Sequence, residues 1–332
     1  MNLIIPMAGR GSRLRPHTLT VPKPLVPVAG KPIVQRLVED LSKMCRQQVK
    51  NIGFIIGDFG PEVEAQLLEV ASKLKAKGHI FHQDKPLGTA HAILCAEPLL
   101  EGNTIVAFAD TLFKADFRID SDKEGIIWVH KVADPSAFGV VQLGESGVIT
   151  EFVEKPAEFV SDLAIIGIYY FKDGEKLKEE IKYVIDNDIK DKGEYQLTTA
   201  LENLKQRGTK FVTGTVDEWL DCGNKEAVVY TNQRILEFNK NGALIDATAK
   251  LENTTLIPPC YIGPNVVLTN SVIGPYVSIG EGSSITDAVV SNTVIQTQSN
   301  IQNAVLQNSM IGNFVTLSGN KSSLSIGDFT IM

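Results

Sequence analysis

The sequence predicts an α/β sheet domain followed by a short parallel β-helix, and three observations carry that expectation. Strand-like apolar runs alternate with amphipathic helical stretches at the start of the chain, the pattern of βαβ units and a mostly parallel sheet. From about Ile126 the pattern changes to period-two segments, FGVVQL, VITEFVEK and LAIIGIYYF, which read as an antiparallel addition. Past Ala243 a short repeat takes over, YIGPNV, VIGPYVSIGEGSSI, MIGNFV and SIGDFT, with isoleucine recurring at Ile273, Ile279 and Ile285.

The elements follow in order. Residues 3–6 form a buried strand, and Ile33, Val34, Leu37, Leu41, Met44 and Cys45 then recur at helical spacing. A strand at 52–56, a helix carrying Val63, Leu67, Val70 and Leu74, a strand at 79–82, a helix over 90–96 and a strand at 104–109 complete the alternation. Hairpins around Gly144 and Gly147 join the antiparallel strands, and two charged helices follow near 175–184 and 196–206. A helix at about 224–239 reads as a linker, so the expected domains are 1–240 and 241–332, the second holding about four coils. Asn270-Ser-Val-Ile, Asn292-Thr-Val-Ile and Asn308-Ser-Met-Ile echo one another at coil spacing.

Composition narrows the function. The chain has 332 residues, 43% hydrophobic, enough for two cores. Its net charge of −7 supplies no general field for nucleic acid, so a local cluster of cations must serve a local anion. MNLIIPMAG lacks the features of a signal peptide, and no run approaches the ~18 apolar residues of a membrane span. The expectation is a soluble, cytoplasmic protein with no membrane partner. Cys45, Cys95, Cys222 and Cys260 show neither CxxC pairs nor metal spacing, which suits reduced thiols.

In a parallel sheet the ligand sits at the carboxyl ends of the strands, and the unusual residues fall there. Residues 4–25, IIPMAGRGSRLRPHTLTVPKPL, place Gly9 and Gly11 directly after the first strand, with Arg10, Arg13, Arg15 and Lys23 close by. Glycines after a strand let backbone N–H groups approach an anion. A P-loop is excluded because no GK[ST] follows, and a dinucleotide fingerprint because Leu14 occupies the third glycine position. Arg13 beside the turn and Lys23 on a proline-flanked segment suit a polyphosphate whose leaving group gains charge. Asp110 ends an apolar strand, where a carboxylate requires compensation.

The stretch MAGRGSRLRPHTLTVPKPLVPVAGKPI resembles the signature of the sugar-phosphate nucleotidylyltransferases, in particular their long thymidylyltransferase branch with a β-helical tail. The resemblance implies a Rossmann-like mixed-sheet catalytic domain and a left-handed β-helix. It implies that the loop Ala8, Gly9, Gly11 and Ser12 wraps a triphosphate, that Arg13 binds its β and γ phosphates, and that Lys23 assists pyrophosphate departure. Gln83-Asp-Lys-Pro-Leu-Gly-Thr-Ala-His is similar to the base-recognition segment, with Gln83, Gly88 and Thr89 on the nucleotide. Asp110 and Asp221, the latter in EWLDCGN, match the metal ligands, and two carboxylates with phosphate oxygens suit Mg²⁺.

By the same resemblance Glu154 and Lys155 of VEKP hold a sugar hydroxyl and the sugar 1-phosphate, while Gly139, Gly167 and Tyr169 line the sugar. Glu194-Tyr-Gln-Leu-Thr matches a helix start with structural or sugar-side roles. Ile165 stands where acetylglucosamine-using members usually carry Asn, which points away from an N-acetylated sugar. The implied reaction joins dTTP or UTP to a sugar 1-phosphate, glucose 1-phosphate foremost, by in-line attack that needs no general base. The alternatives are a mannose 1-phosphate guanylyltransferase and a silent nucleotide-sugar-binding subunit; the latter is disfavoured because Arg13, Lys23, Asp110, Lys155 and Asp221 are all present. Acyl transfer by the β-helix is disfavoured because His17, His79, His82, His91 and His130 all precede it. A homo-oligomer assembled through the β-helix or the catalytic domain is expected.

Overall fold

The computed structural model describes residues 1–9, 11–116 and 118–320, so Arg10 and the SIGDFT repeat lie outside the described residues. The chain divides into two compact units, Met1–Leu25 with Ile33–Cys222, and Val26–Pro32 with Gly223–Met332. The helix expected as a linker belongs to the second. Among the described residues no helix is long and apolar enough to cross a membrane.

In the first unit Asn2–Pro6 (β1), Asn51–Ile56 (β2), Lys77–His82 (β3) and Thr104–Ala107 (β4) are parallel strands, the first, second and fourth largely buried and β3 half-exposed at the sheet edge. β1 lies between β4 and β2, with β3 beyond β2. The order therefore reverses at β1, and the crevice at its carboxyl end is where a doubly wound sheet takes its ligand. The helices between them are amphipathic as their spacing requires. Ile33–Met44 (α1) buries Ile33, Val34, Leu37, Val38, Leu41 and Met44, and Pro61–Lys73 (α2) buries Leu67, Val70 and Ala71, with proline at its first position.

The antiparallel part also forms as its period-two pattern predicts. Thr111–Lys114 (β5) follows β4, and Gly125–Lys131 (β6), Gly139–Leu143 (β7), Ile149–Glu154 (β8) and Leu163–Phe171 (β9) come next. β9 pairs antiparallel with β4, β6 and β7, which makes the sheet mixed. The β7–β8 hairpin closes through Gly144 and Gly147, the latter at φ 73°. Phe211–Thr215 (β10) adds parallel to β6, and Glu218–Asp221 (β11) pairs with β5. Thr89–Leu94 (α3), Gly174–Asp186 (α4) and Leu197–Gln206 (α5) pack their apolar faces into one core with Ile127, Val141, Ile165 and Phe211.

The second unit stacks short parallel strands in three ladders of five, four and four, the arrangement of a left-handed parallel β-helix. Leu251, Leu268, Ile285, Ile301 and Leu317 lie in register along one ladder. Ile273, Ile279 and Ile285 are fully buried in its core. The echoing asparagines have a backbone reason. Asn270, Asn292 and Asn308 turn corners at φ 41–50°, the left-handed region that asparagine tolerates. Asn253 donates to Asn270 at 2.8 Å, and Asn270 to Asp287 at 3.2 Å, so the corner amides also bond from coil to coil.

Lys225–Phe238 (α6), capped by Asn224, begins this unit. Its Asn232 is fully buried, accepting from Ala29 N–H at 2.9 Å and the Ser278 hydroxyl at 2.7 Å and donating to Tyr276 O at 3.2 Å. Those bonds explain why residues 26–32 group with the β-helix.

Candidate active site

The first cluster gathers at the carboxyl ends of β1 and β4. Gly11 adopts φ 59°, and a Cβ there would stand 2.9 Å from Lys23 Cβ and 3.2 Å from Thr18 Cγ2. Glycine is required both for the turn and for the approach of Lys23. The Thr18 hydroxyl donates to Gly11 O at 2.7 Å and fixes the turn. Lys23 Nζ lies 2.9 Å from Asp110 Oδ2, with the lysine side chain 10% exposed and the aspartate 42%. Ser12 and Arg13 are exposed on the 3₁₀ turn Ser12–Leu14, anchored by buried Leu14, and Gly9 has open space where a side chain would project. Among the described residues Arg13 has no ion-pair partner, so its charge remains available to an anion.

Asp110 differs slightly in setting from its expected strand end. β4 stops at Ala107, Phe108 N–H bonds Gly167 O of β9 at 2.9 Å, and Asp110 sits in the turn before β5. Pairing of β11 with β5 sets Asp221 opposite Thr111, and Cys222 N–H donates to Asp110 O at 2.9 Å. The two aspartates are thereby brought together from positions far apart in sequence. Their hard oxygen donors fit a divalent metal ion. Among the described residues no group of three His, Cys, Asp or Glu could hold a metal, so further ligands would come from substrate oxygens and water.

A second cluster follows β3. Gln83 N–H continues the sheet by donating to Ile56 O at 2.8 Å. The Gln83 side-chain nitrogen lies 3.2 Å from Gly88 O and 3.1 Å from His91 Nδ1. Gly88, at φ 116°, admits no side chain, because a Cβ would meet Tyr195 O at 2.5 Å. Thr89, the third residue expected on the nucleotide, also links this loop to α5. Its hydroxyl accepts from Leu197 N–H at 2.8 Å and donates to Gln196 Oε1 at 3.3 Å, which caps the start of α5.

The third cluster lies where β7, β8 and β9 meet α5. A Cβ at Gly139 would stand 3.2 Å from both Glu154 Oε2 and Thr198 Cγ2, and 3.3 Å from Ile165 Cδ1. Thr198 donates to Glu154 Oε2 at 3.1 Å and so orients that carboxylate. Thr198 carries no motif of its own; only its place in the EYQLT stretch could have marked it. Lys155 adopts φ 45°, a left-handed strain of about 1–2 kcal/mol for a side chain of this type, and its Nζ lies 3.5 Å from Glu154 Oε1. Lys192 bonds the carbonyls of both residues, at 3.2 and 2.7 Å. Tyr169 is buried, and burial first, then the Glu154 charge, pushes its phenol well above the ordinary range. Gly167, at φ 83°, faces Phe108, which packs edge-on to the Tyr169 ring.

A profile described as Nucleotidyl transferase matches residues 3–237. A glucose-1-phosphate thymidylyltransferase of Streptomyces griseus is 28% identical over 318 residues, covering 89% of this chain and 87% of that protein. The mannose-1-phosphate guanylyltransferase catalytic subunit beta of Drosophila melanogaster is 31% identical over 290 residues, covering 84% and 71%. A solved UDP-glucose pyrophosphorylase complexed with UDP-glucose matches with a TM-score of 0.59 at 22% identity, over 71% of this chain and 98% of that one, a likeness of fold. All three clusters fall inside the matched span, and the chain belongs to the nucleotidyl transferase family.

Proposed function

We propose that the chain joins dTTP or UTP to a sugar 1-phosphate, glucose 1-phosphate foremost, releasing pyrophosphate and forming a nucleoside diphosphate sugar. The observation that carries this reading is the Lys23–Asp110 pair, 2.9 Å apart beside Gly11, with Asp221 drawn to the same strand ends. A lysine that can approach the β and γ phosphates, next to two carboxylates suited to Mg²⁺, is what expulsion of pyrophosphate demands. The likeness to the Streptomyces thymidylyltransferase along nearly the whole chain supports the same choice.

The residues divide the work as follows. Ala8, Gly9, Gly11 and Ser12 surround the triphosphate with backbone N–H groups, and Arg13 neutralises its outer phosphates. Gln83 and Gly88 meet the base, with Thr89 holding their loop to α5. Lys155 receives the sugar 1-phosphate; Gly139, Glu154, Gly167 and Tyr169 border the sugar. A phosphate oxygen of the sugar 1-phosphate attacks the α-phosphorus in line as the bond to pyrophosphate breaks, with Lys23 taking up the developing charge. The nucleophile is already anionic, so no side chain need remove a proton. Bound between Asp110 and Asp221, Mg²⁺ would supply electrostatic stabilisation of the phosphates. Catalysis is assigned to residues 1–240, and residues 241–332 are assigned assembly or regulatory binding.

The test is pyrophosphate release with Mg²⁺ across dTTP, UTP, GTP, CTP and ATP, each crossed with glucose, acetylglucosamine and mannose 1-phosphates. An optimum at dTTP or UTP with glucose 1-phosphate supports the proposal. An optimum at GTP with mannose 1-phosphate would instead select the second reading, which the likeness to the Drosophila guanylyltransferase favours. Nucleotide binding with no turnover in any combination would contradict both.

A further inference from the structure

His91 has no part in the reaction described above, yet it makes a bond with a defined polarity. Its Nδ1 lies 3.1 Å from the Gln83 amide nitrogen, and the Gly88 carbonyl lies 3.2 Å from the same nitrogen. An amide nitrogen only donates, so Nδ1 must be the unprotonated ring nitrogen. Burial lowers the His91 pKa, which keeps the ring neutral and that lone pair available. The Gly88 carbonyl is itself fixed, because it also accepts from Ala92 N–H at 3.1 Å in the first turn of α3. Both hydrogens of the Gln83 amide are thus committed to acceptors within the protein. Rotating the amide by half a turn would set Oε1 against the Gly88 carbonyl oxygen, losing that hydrogen bond, and would require His91 to move its proton to Nδ1.

The consequence falls on the other end of the amide. Among the described residues Gln83 Oε1 has no protein partner, and with the orientation locked it offers only an acceptor. Uracil and thymine present a ring N–H on their Watson–Crick edge, as does guanine, whereas cytosine and adenine present a ring nitrogen lone pair. We propose that His91 is a positioning residue for base selection, holding Gln83 with its carbonyl outward so that the site accepts bases with a ring N–H and rejects those with a ring lone pair. This rests on the reading that Gln83 contacts the base.

The test is calorimetric binding of dUTP and dCTP to the full chain with Mg²⁺ and no sugar phosphate, for wild type, His91→Phe and His91→Asn. The two nucleotides differ only at the edge in question, and binding does not require turnover, so failure of the catalytic reading and failure of the lock can be told apart. Wild type should favour dUTP by about tenfold or more, the worth of one hydrogen bond made against one opposed. His91→Phe, which keeps a ring but removes the acceptor, should erase most of that preference. His91→Asn, whose side-chain oxygen restores an acceptor, should recover it, a rescue that a packing role for the ring would not produce. An unchanged dUTP preference in His91→Phe with a wild-type melting temperature would overturn the lock. A wild type indifferent to the two nucleotides would overturn it too, together with the assignment of the base to Gln83. Wild-type selectivity erased by His91→Phe in a protein that never turns over would uphold the lock and sink the catalytic reading alone.

Discussion

Lys23 and Asp110 form an ion pair at 2.9 Å across 87 residues of sequence. On the proposed function, arrival of the metal and of the triphosphate would exchange this one partner for two. Lys23→Met should lower kcat by about 10²–10³-fold, the usual effect of removing one preorganised electrostatic group. Because Asp110 is 42% exposed, solvent screening limits the stability cost to about 1 kcal/mol or less. Turnover together with the melting temperature checks this; a large loss of stability with activity retained in the folded fraction would reverse the assignment.

Gly11→Ala should impair the site beyond its effect on the fold. Left-handed strain at φ 59° costs about 1–2 kcal/mol, and the new methyl meets Lys23 Cβ, an atom that cannot swing aside. Gly147→Ala is the comparison, since its φ of 73° carries similar strain with open space around it. Both variants should melt at lower temperature, and Gly11→Ala alone should lose kcat/KM, by roughly tenfold or more.

The thiols should be sluggish. None of the four cysteines forms a disulfide, and burial pushes Cys45 up to about 11 from its ordinary 9.0. A thiol-reactive chromophore at neutral pH should label native Cys45 only on the time scale of unfolding, and all four cysteines promptly in denaturant. The linkage has a sign. The unfolded thiol ionises first, so the stability Cys45 contributes is complete below pH 9 and is lost as pH rises towards about 11. Fast labelling of native Cys45 at pH 7 would contradict its burial.

Ile285→Ala should cost about 2–5 kcal/mol, because its side chain is fully buried and stacks between Leu268 and Ile301. Each coil touches only its neighbours, so hydrogen exchange should quicken first in the strands Val267–Thr269 and Asn300–Gln302. Uniform loosening across the whole chain would count against this.

What could be read in advance depended on local pattern. The isoleucine repeat was legible because each coil repeats one inward position, and Ile273, Ile279 and Ile285 are all buried. Gly11, Lys23 and Asp110 stand out in the sequence because a glycine turn, a proline-flanked cation and a carboxylate are unusual at strand ends, whereas Asp221 is marked only by the resemblance of EWLDCGN to a family segment. Residues 26–32 were not, since the bonds of Asn232 to Ala29 and Ser278 span distant sequence and leave no periodic trace. The left-handed backbone of Lys155 was hidden for the same reason, being imposed by tertiary bonds such as its N–H to Phe138 O. The bond from Leu197 N–H to the Thr89 hydroxyl spans 108 residues and leaves no mark in the local sequence. His91 has helical spacing like any surface residue, and only the folded loop brings it to Gln83.

A nucleotidyl transfer centred on Lys23 and Asp110 is checked by phosphorus NMR of dTTP, glucose 1-phosphate and Mg²⁺ with the enzyme. Free pyrophosphate and one new diphosphate ester should form in equal amounts, and both should be lost in Lys23→Met and Asp110→Asn. Release of orthophosphate in place of pyrophosphate, or full activity in either variant, would contradict it.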